Sequence, residues 1–239
     1  MRPSSVQEED AGAVAEKAPD ATALVSRRVR VGEQKRQRIL DAALEIFSRN
    51  GLHGARLDQV AERADVSKTN LLYYYGTKEV LYLAVLSRML DRWLEPLEAF
   101  TPDSDPAQAI SAYITRKLAL SRDEPAASRL FCMEMLQGAP LLGQLLGGPL
   151  KHLVDRKTLV IRRWVREGRL ADIDPRHLLF AIWAVTQHYA DFEVQVEALT
   201  GQTLSNATFE ARTIHNVLAI ILHGALPRPP LTPGYEPTG

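Results

Sequence analysis

From Ile39 onward apolar residues return every three or four positions, and that spacing persists almost to the C-terminus. Ile39, Leu40, Ala43, Leu44 and Phe47 share one face of a first helix that Asn50-Gly51 stops. The pattern predicts a short second helix over about 57–64, a turn at Asp65-Val66, and a third helix with Ser67 as its N-cap. Thr77 caps a long fourth helix through Leu81, Leu86, Leu90, Trp93 and Leu97, kinked by Pro96. Asp105-Pro106 opens a fifth by the cap-then-proline signature. Further helices are predicted over about 125–137, 140–147 and 149–167, the last ended by Gly168. Asp174-Pro175 starts one that reaches about Ala198, and a final helix spans about 207–224. No segment alternates as a strand does and no repeat of solenoid length is present. The expectation is an all-α chain.

The pattern divides the chain into four. Residues 1–30 lack a sustained apolar period and read as a disordered tail. Residues 31–78 form a three-helix unit, residues 79–226 a larger helical domain, and 227–239 a proline-rich tail that cannot be helical. With 239 residues, 46% of them hydrophobic and 24% charged, the chain can bury a proper core. No apolar run approaches the ~20 residues of a membrane span and no secretory signal is legible at the start, so a cytoplasmic protein is expected. The single Cys132 leaves no internal disulfide and fits a reducing compartment.

Charge is balanced overall, 29 basic against 29 acidic residues, but it is segregated. Between Arg27 and Lys78 eleven basic residues face six acidic ones, so this segment carries +5 and the remainder −5. Such asymmetry fits either a segment that meets phosphate or a solvated helix surface. Arg27, Arg28 and Arg30 just before the first helix fit a flexible cationic arm for a flanking minor groove.

The sequence from Gly54 to Lys78, GARLDQVAERADVSKTNLLYYYGTK, decides more. Two short helices joined by a tight turn, with apolar Leu57, Val60, Ala61, Val66 and Leu71, make a helix-turn-helix. Its second helix projects Lys68, Thr69, Asn70, Tyr73 and Tyr74, while Leu71 and Tyr75, four apart, face the core. A helix fits the major groove, where Asn70 can pair with adenine and Thr69 offers a methyl or a hydroxyl. Lys78 and Arg56 are further candidates for double-stranded DNA. On these residues alone an ordinary helical corner fits as well.

RILDAALEIFSRNGLHGARLDQVAERADVSKTNLLYYYGTKEVL resembles the DNA-binding domain of TetR-family repressors. The resemblance implies a three-helix DNA-binding domain, a larger helical domain that binds a small molecule, and a homodimer acting at an operator. Four departures stand out, one being Thr69-Asn70 and Leu72 where Gly-Thr and Tyr are commoner, which implies a distinct operator. Asp65 occupies a turn position where Gly is usual, Ala55 one where a capping Thr is common, and Gly76 one often held by Pro. A narrower resemblance covers 128–142, 174–201 and VSKTNLLYY, to a member of that family that responds to uracil and thymine and controls pyrimidine degradation.

Uracil is a flat neutral imide whose rim alternates carbonyl acceptors and N–H donors, so its site needs an apolar wall and groups that both donate and accept. By resemblance, Trp183, Gln187 and Trp93 form that pocket, with Phe131, Arg129 and Tyr113 as further candidates. Read without the resemblance, the two tryptophans are core residues and Gln187 lies at a helix interface. The helices over 174–198 and 207–224 are apolar nearly all round, a surface that pairing with a second copy would bury as a four-helix bundle.

No HExxH, clustered Cys/His spacing, glycine-rich phosphate loop or GxSxG elbow is present, so no catalytic residue, metal or cofactor is expected. Two alternatives stay open: a regulator of the same family answering an efflux-linked toxin or an acyl compound, and a helical dimeric ligand carrier or enzyme.

Overall fold

The computed structural model describes residues 21–226. Among them every regular element is helical, as the periodicity requires. The elements are α1 (Ala21–Gly54), α2 (Leu57–Arg63), α3 (Lys68–Tyr75), α4 (Lys78–Leu94), α5 (Pro106–Asp123), α6 (Pro125–Leu136), α7 (Gly143–Leu145), α8 (Lys151–Arg166), α9 (Pro175–Asp191), α10 (Glu193–Thr200) and α11 (Ala207–Ala225). Residues 1–20 and the tail expected at 227–239 lie outside the described residues. Residues 21–30 do not belong to a tail: α1 begins at Ala21, so Arg27, Arg28 and Arg30 sit in a helix instead of a flexible arm.

Caps explain most of the boundaries. Ser67 Oγ accepts the Asn70 N–H at 3.1 Å, Thr77 Oγ1 the Val80 N–H at 3.2 Å, and Asp105 Oδ1 the Gln108 N–H at 2.8 Å. Asp174 Oδ1 takes two, from Arg176 (2.8 Å) and His177 (3.2 Å), and these backbone donors hold its carboxyl below the usual carboxylate range. Each such cap is worth about 1 kcal/mol. At Ala55 the missing Thr is replaced by a different device. Arg56 is the N-cap of α2, and its backbone N–H donates to Gln59 Oε1 at 3.2 Å. A guanidinium cannot accept, so this cap is one-sided.

Glycine and aspartate mark the sharp turns. Gly51 (φ 64°, ψ −177°) breaks α1 where Asn50-Gly51 was expected to stop it, and Gly76 (φ 68°) ends α3. Asp65 adopts φ 54°, the left-handed conformation that Asp tolerates better than most residues.

Three boundaries differ from the pattern. Helix α4 ends at Leu94, and Pro96 sits in a 3₁₀ turn over Glu95–Ala99 instead of kinking a helix to Leu97. The expected helix over 140–147 shrinks to α7 followed by a π-type turn, Leu146–Leu150, which leads directly into α8. The helix expected from 174 to 198 is broken at Phe192 (φ −115°, ψ 31°) into α9 and α10.

Packing continues across the position of the expected division at 78/79. The first compact unit ends at Gln37 and the second runs from Arg38. Within the second unit, Ile39, Ala43, Phe47, Val60 and Leu71 share one hydrophobic cluster with Tyr82, Leu86, Met89 and Trp93 of α4 and Leu130 of α6. A separate cluster joins α5, α8, α9 and α11 through Tyr113, Ile114, Trp164, Ile182 and Val217. Helix α5 packs along α9, with α6 and α11 beside them.

Candidate DNA-binding face and effector cavity

In the helix-turn-helix, Leu71 is fully buried and Tyr75 packs against the core, as their spacing demands. Thr69 is exposed, Asn70 half-buried, and Tyr73 exposed at 84%. Tyr74 was expected to project, but it packs partly against the core, its ring edge-on to Tyr73 with centroids 5.5 Å apart. Lys68 pairs with Asp58 of α2 at 3.1 Å. The Lys78 ammonium donates to the carbonyls of Ala55 (3.2 Å) and His53 (3.5 Å), tying the start of α4 to the end of α1. An ammonium has three donors, so one remains for a phosphate. Other acids of the domain are also consumed locally: Glu45 by Arg63 (2.7 Å) and Arg49 (3.1 Å), Asp65 by Arg38 (3.7 Å).

Five of the six residues assigned to a pocket converge. Trp93 of α4, Tyr113 of α5, Phe131 of α6, and Trp183 and Gln187 of α9 line one cavity of about 40 Å³ with Leu90, Leu94, Lys117 and Leu150. Trp183 and Gln187, one helical turn apart, share a face. Arg129 does not belong to it: exposed on α6, it pairs with Glu193 at 3.3 Å. A wider groove of about 570 Å³ lies between the end of α8 and the start of α9, lined by Leu159, Arg162 and Asp174 among others. None of the assigned residues lines it, and it has no comparable set of buried aromatic rings.

The rings of the cavity wall brace one another. Trp183 Nε1 donates to the Tyr113 hydroxyl at 2.7 Å, and Tyr113 in turn meets Phe100 edge-on at 5.6 Å. Phe131 meets Trp93 edge-on at 5.4 Å. Burial pushes the Tyr113 phenol well above its ordinary range, so it stays protonated at neutral pH. One polar group is left unsatisfied, and a buried cation stands beside it. The Trp93 indole N–H is buried without a partner, and the Lys117 ammonium lies 4.8 Å from the Trp93 ring centroid. Burial lowers Lys117 to about 8, the Asp191 charge opposing this in part. Lys117 escaped the sequence reading, yet its signal was present: it lies four residues after Tyr113, on the stripe of Ile110, Ile114 and Ser121 that α5 buries.

Comparison with known proteins agrees with this architecture. Residues 39–85 match the family described as bacterial regulatory proteins, tetR family, and residues 86–228 match the YcdC-like protein, C-terminal region. The chain belongs to the TetR family of DNA-binding transcriptional regulators, not to a family of enzymes. Within it, the chain is 56% identical over 208 residues to the HTH-type transcriptional regulator RutR of Escherichia coli K12, covering 87% of this chain and 98% of that one. Among solved structures it is similar to the transcriptional regulator SCO4942 of Streptomyces coelicolor (TM-score 0.60, 28% identity, 82% of this chain and 99% of that one). It also shares its fold with FadR of Bacillus subtilis in complex with stearoyl-CoA (TM-score 0.61, 17% identity, 79% and 98% covered).

Proposed function

We propose that the chain is a homodimeric, cytoplasmic repressor that leaves its operator on binding a small pyrimidine such as uracil or thymine, and so controls pyrimidine catabolism. The observation that carries this reading is the convergence of Trp93, Tyr113, Phe131, Trp183 and Gln187, from four helices, on one small cavity. The aromatic rings provide a wall for a flat ring, and Gln187 supplies an amide that both donates and accepts. A buried ammonium among aromatic rings suits a compact polar ring better than the long acyl chain of the alternative reading.

DNA is held through α3, with Asn70 and Thr69 at base edges and Lys68, Tyr73, Tyr74, Arg56 and Lys78 on the backbone. Exposed Phe180, Phe192, Val194, Leu199 and Ile220 along α9–α11 support a two-fold partner there, although the first of the two helices expected to form that interface is divided into α9 and α10. Among the described residues no helix is long and apolar enough to cross a membrane.

The mechanism is a population shift. A pyrimidine needs more room than the closed cavity offers, so binding displaces Trp93 or Phe131, and Trp93 rides on α4, which begins directly after the recognition helix. Movement of α4 then changes the separation of the two recognition helices away from the ~34–36 Å between successive major grooves. Titration calorimetry with uracil and thymine, paired with operator release, tests the reading. Saturable heat with either base and release of operator at the same concentrations are expected; absence of both would leave only the family.

A further inference from the structure

Lys117 is only 4% exposed, lines the cavity, and forms no hydrogen bond or ion pair with another described residue. Its ammonium stands over the Trp93 ring, 4.8 Å from the centroid, but a buried cation with no hydrogen-bond acceptor is costly, and its persistence asks for a reason outside the free protein. Beside it stand two more donors. The Trp93 indole N–H is unbonded, and the Tyr113 hydroxyl accepts from Trp183, leaving its own proton without an acceptor among the described residues. No carboxylate lines the cavity. The acid that acts on Lys117 through space is Asp191 on α9, itself bonded by the Ser128 hydroxyl of α6. The cavity lining therefore includes three side chains that carry donors, one of them a buried cation, and no carboxylate.

We propose that Lys117 determines the specificity of the effector site: its ammonium, with the Trp93 N–H, takes a ring oxygen adjacent to an acidic N–H and favours pyrimidines whose imide ionises readily. The inference rests on the pyrimidine reading above and names what that site selects. A carbonyl oxygen at this corner accepts from both groups. An exocyclic amine there presents donors to donors, so cytosine is rejected by the penalty of leaving buried groups unpaired. When the imide N–H gives its proton to solvent, the negative charge spreads onto the flanking oxygens and forms a charge-assisted bond to the ammonium. With Lys117 near 8, the ammonium form predominates at neutral pH and this pairing is available there.

The test is titration calorimetry at pH 7 on the full chain with uracil, 5-fluorouracil and 6-azauracil, in order of rising imide acidity, and with cytosine. Wild type is expected to bind the first three with affinity rising several-fold along the series and to ignore cytosine. Lys117→Met keeps the bulk and removes the charge, so the series is expected to flatten and uracil affinity to fall by an order of magnitude or more. The variant's melting temperature without ligand is expected to rise, because an unpaired buried ammonium is replaced by an apolar chain. A lysine with a purely structural role would instead lower the melting temperature and leave the acidity trend intact. A flat series in wild type overturns the inference even if the variant fails to fold. A retained slope in Lys117→Met overturns it while leaving the pyrimidine reading in place, whereas a wild type blind to every ring overturns both.

Discussion

The Tyr82 hydroxyl of α4 donates to Glu134 Oε2 of α6 at 3.1 Å, in a region where both side chains are buried. Glu134 Oε1 accepts the N–H groups of Leu141 (2.8 Å) and Leu142 (3.0 Å), so one carboxylate fastens α4, α6 and the turn after α6. The Tyr82 ring also meets Phe47 of α1 edge-on at 5.0 Å. Phe131, one turn before Glu134, reaches the effector cavity. The ends of this chain of contacts are thus the cavity and the DNA-binding domain. Tyr82→Phe removes the hydroxyl and spares the ring. We expect about 1–3 kcal/mol lower stability in urea denaturation, uracil affinity within about twofold of wild type, and a weakened release of operator by uracil. Full release with normal ligand sensitivity would show that coupling does not pass through this bond.

How much of this was legible in the sequence differs by element. The four caps Ser67, Thr77, Asp105 and Asp174 were readable because each combines a short polar acceptor with the start of an apolar period. The break at Phe192 was not, because Phe192 is apolar and one non-helical residue does not disturb a pattern that is apolar on both sides. The turn at Leu146–Leu150 carries Gly147, Gly148 and Pro149, yet α8 follows without a gap, with Leu146, Leu150 and Lys151 all at helical backbone angles. Of the cavity, the aromatic members and Gln187 were found through resemblance. Lys117 and Glu134 were passed over because charged residues are rarely buried, although both stand on the buried stripe of their helices.

On α3, the Asn70 backbone N–H serves the Ser67 cap while its side chain takes no part in it. Asn70→Ala therefore leaves the cap intact, and it is expected to cost about 1–3 kcal/mol on operator DNA with little change on random DNA. Lys78→Ala is expected to weaken both alike and to lower stability, since the Ala55 and His53 carbonyls lose their donor. Salt-dependent binding to both DNAs separates the two. Equal losses of both variants on random DNA would overturn this orientation of α3.

Lys117 also sets a pH dependence of stability. Burial lowers it from 10.5 to about 8, so between those values the unfolded chain holds a proton that the fold has released. Stability then rises with pH in that window, by up to a few kcal/mol, and is flat with respect to this group below about 8, where both states are protonated. Above about pH 10 the buried phenols of Tyr82 and Tyr113, whose ionisation the fold opposes, reverse the trend. Urea denaturation of wild type and Lys117→Met from pH 7 to 9.5 checks this. The rise belongs to wild type alone, and its presence in the variant would assign it elsewhere.

The effector site makes the last prediction. Gln187→Leu keeps the bulk of the side chain but leaves the imide of a bound pyrimidine without its amide partner, a penalty of roughly 1–3 kcal/mol. Uracil affinity should fall accordingly, by about tenfold to a hundredfold. Trp183→Ala removes the stacking wall and also frees the Tyr113 hydroxyl, which now accepts the indole N–H at 2.7 Å. The cavity widens and the Tyr113 ring loses its anchor, so the response to uracil should disappear. Both residues lie on α9, whereas Asn70 lies on α3, and operator affinity without ligand should stay near that of wild type. Calorimetry with uracil and operator binding on each variant give the two readouts. Loss of operator binding in Trp183→Ala at an unchanged uracil heat would place Trp183 in the architecture of the fold and not in the site.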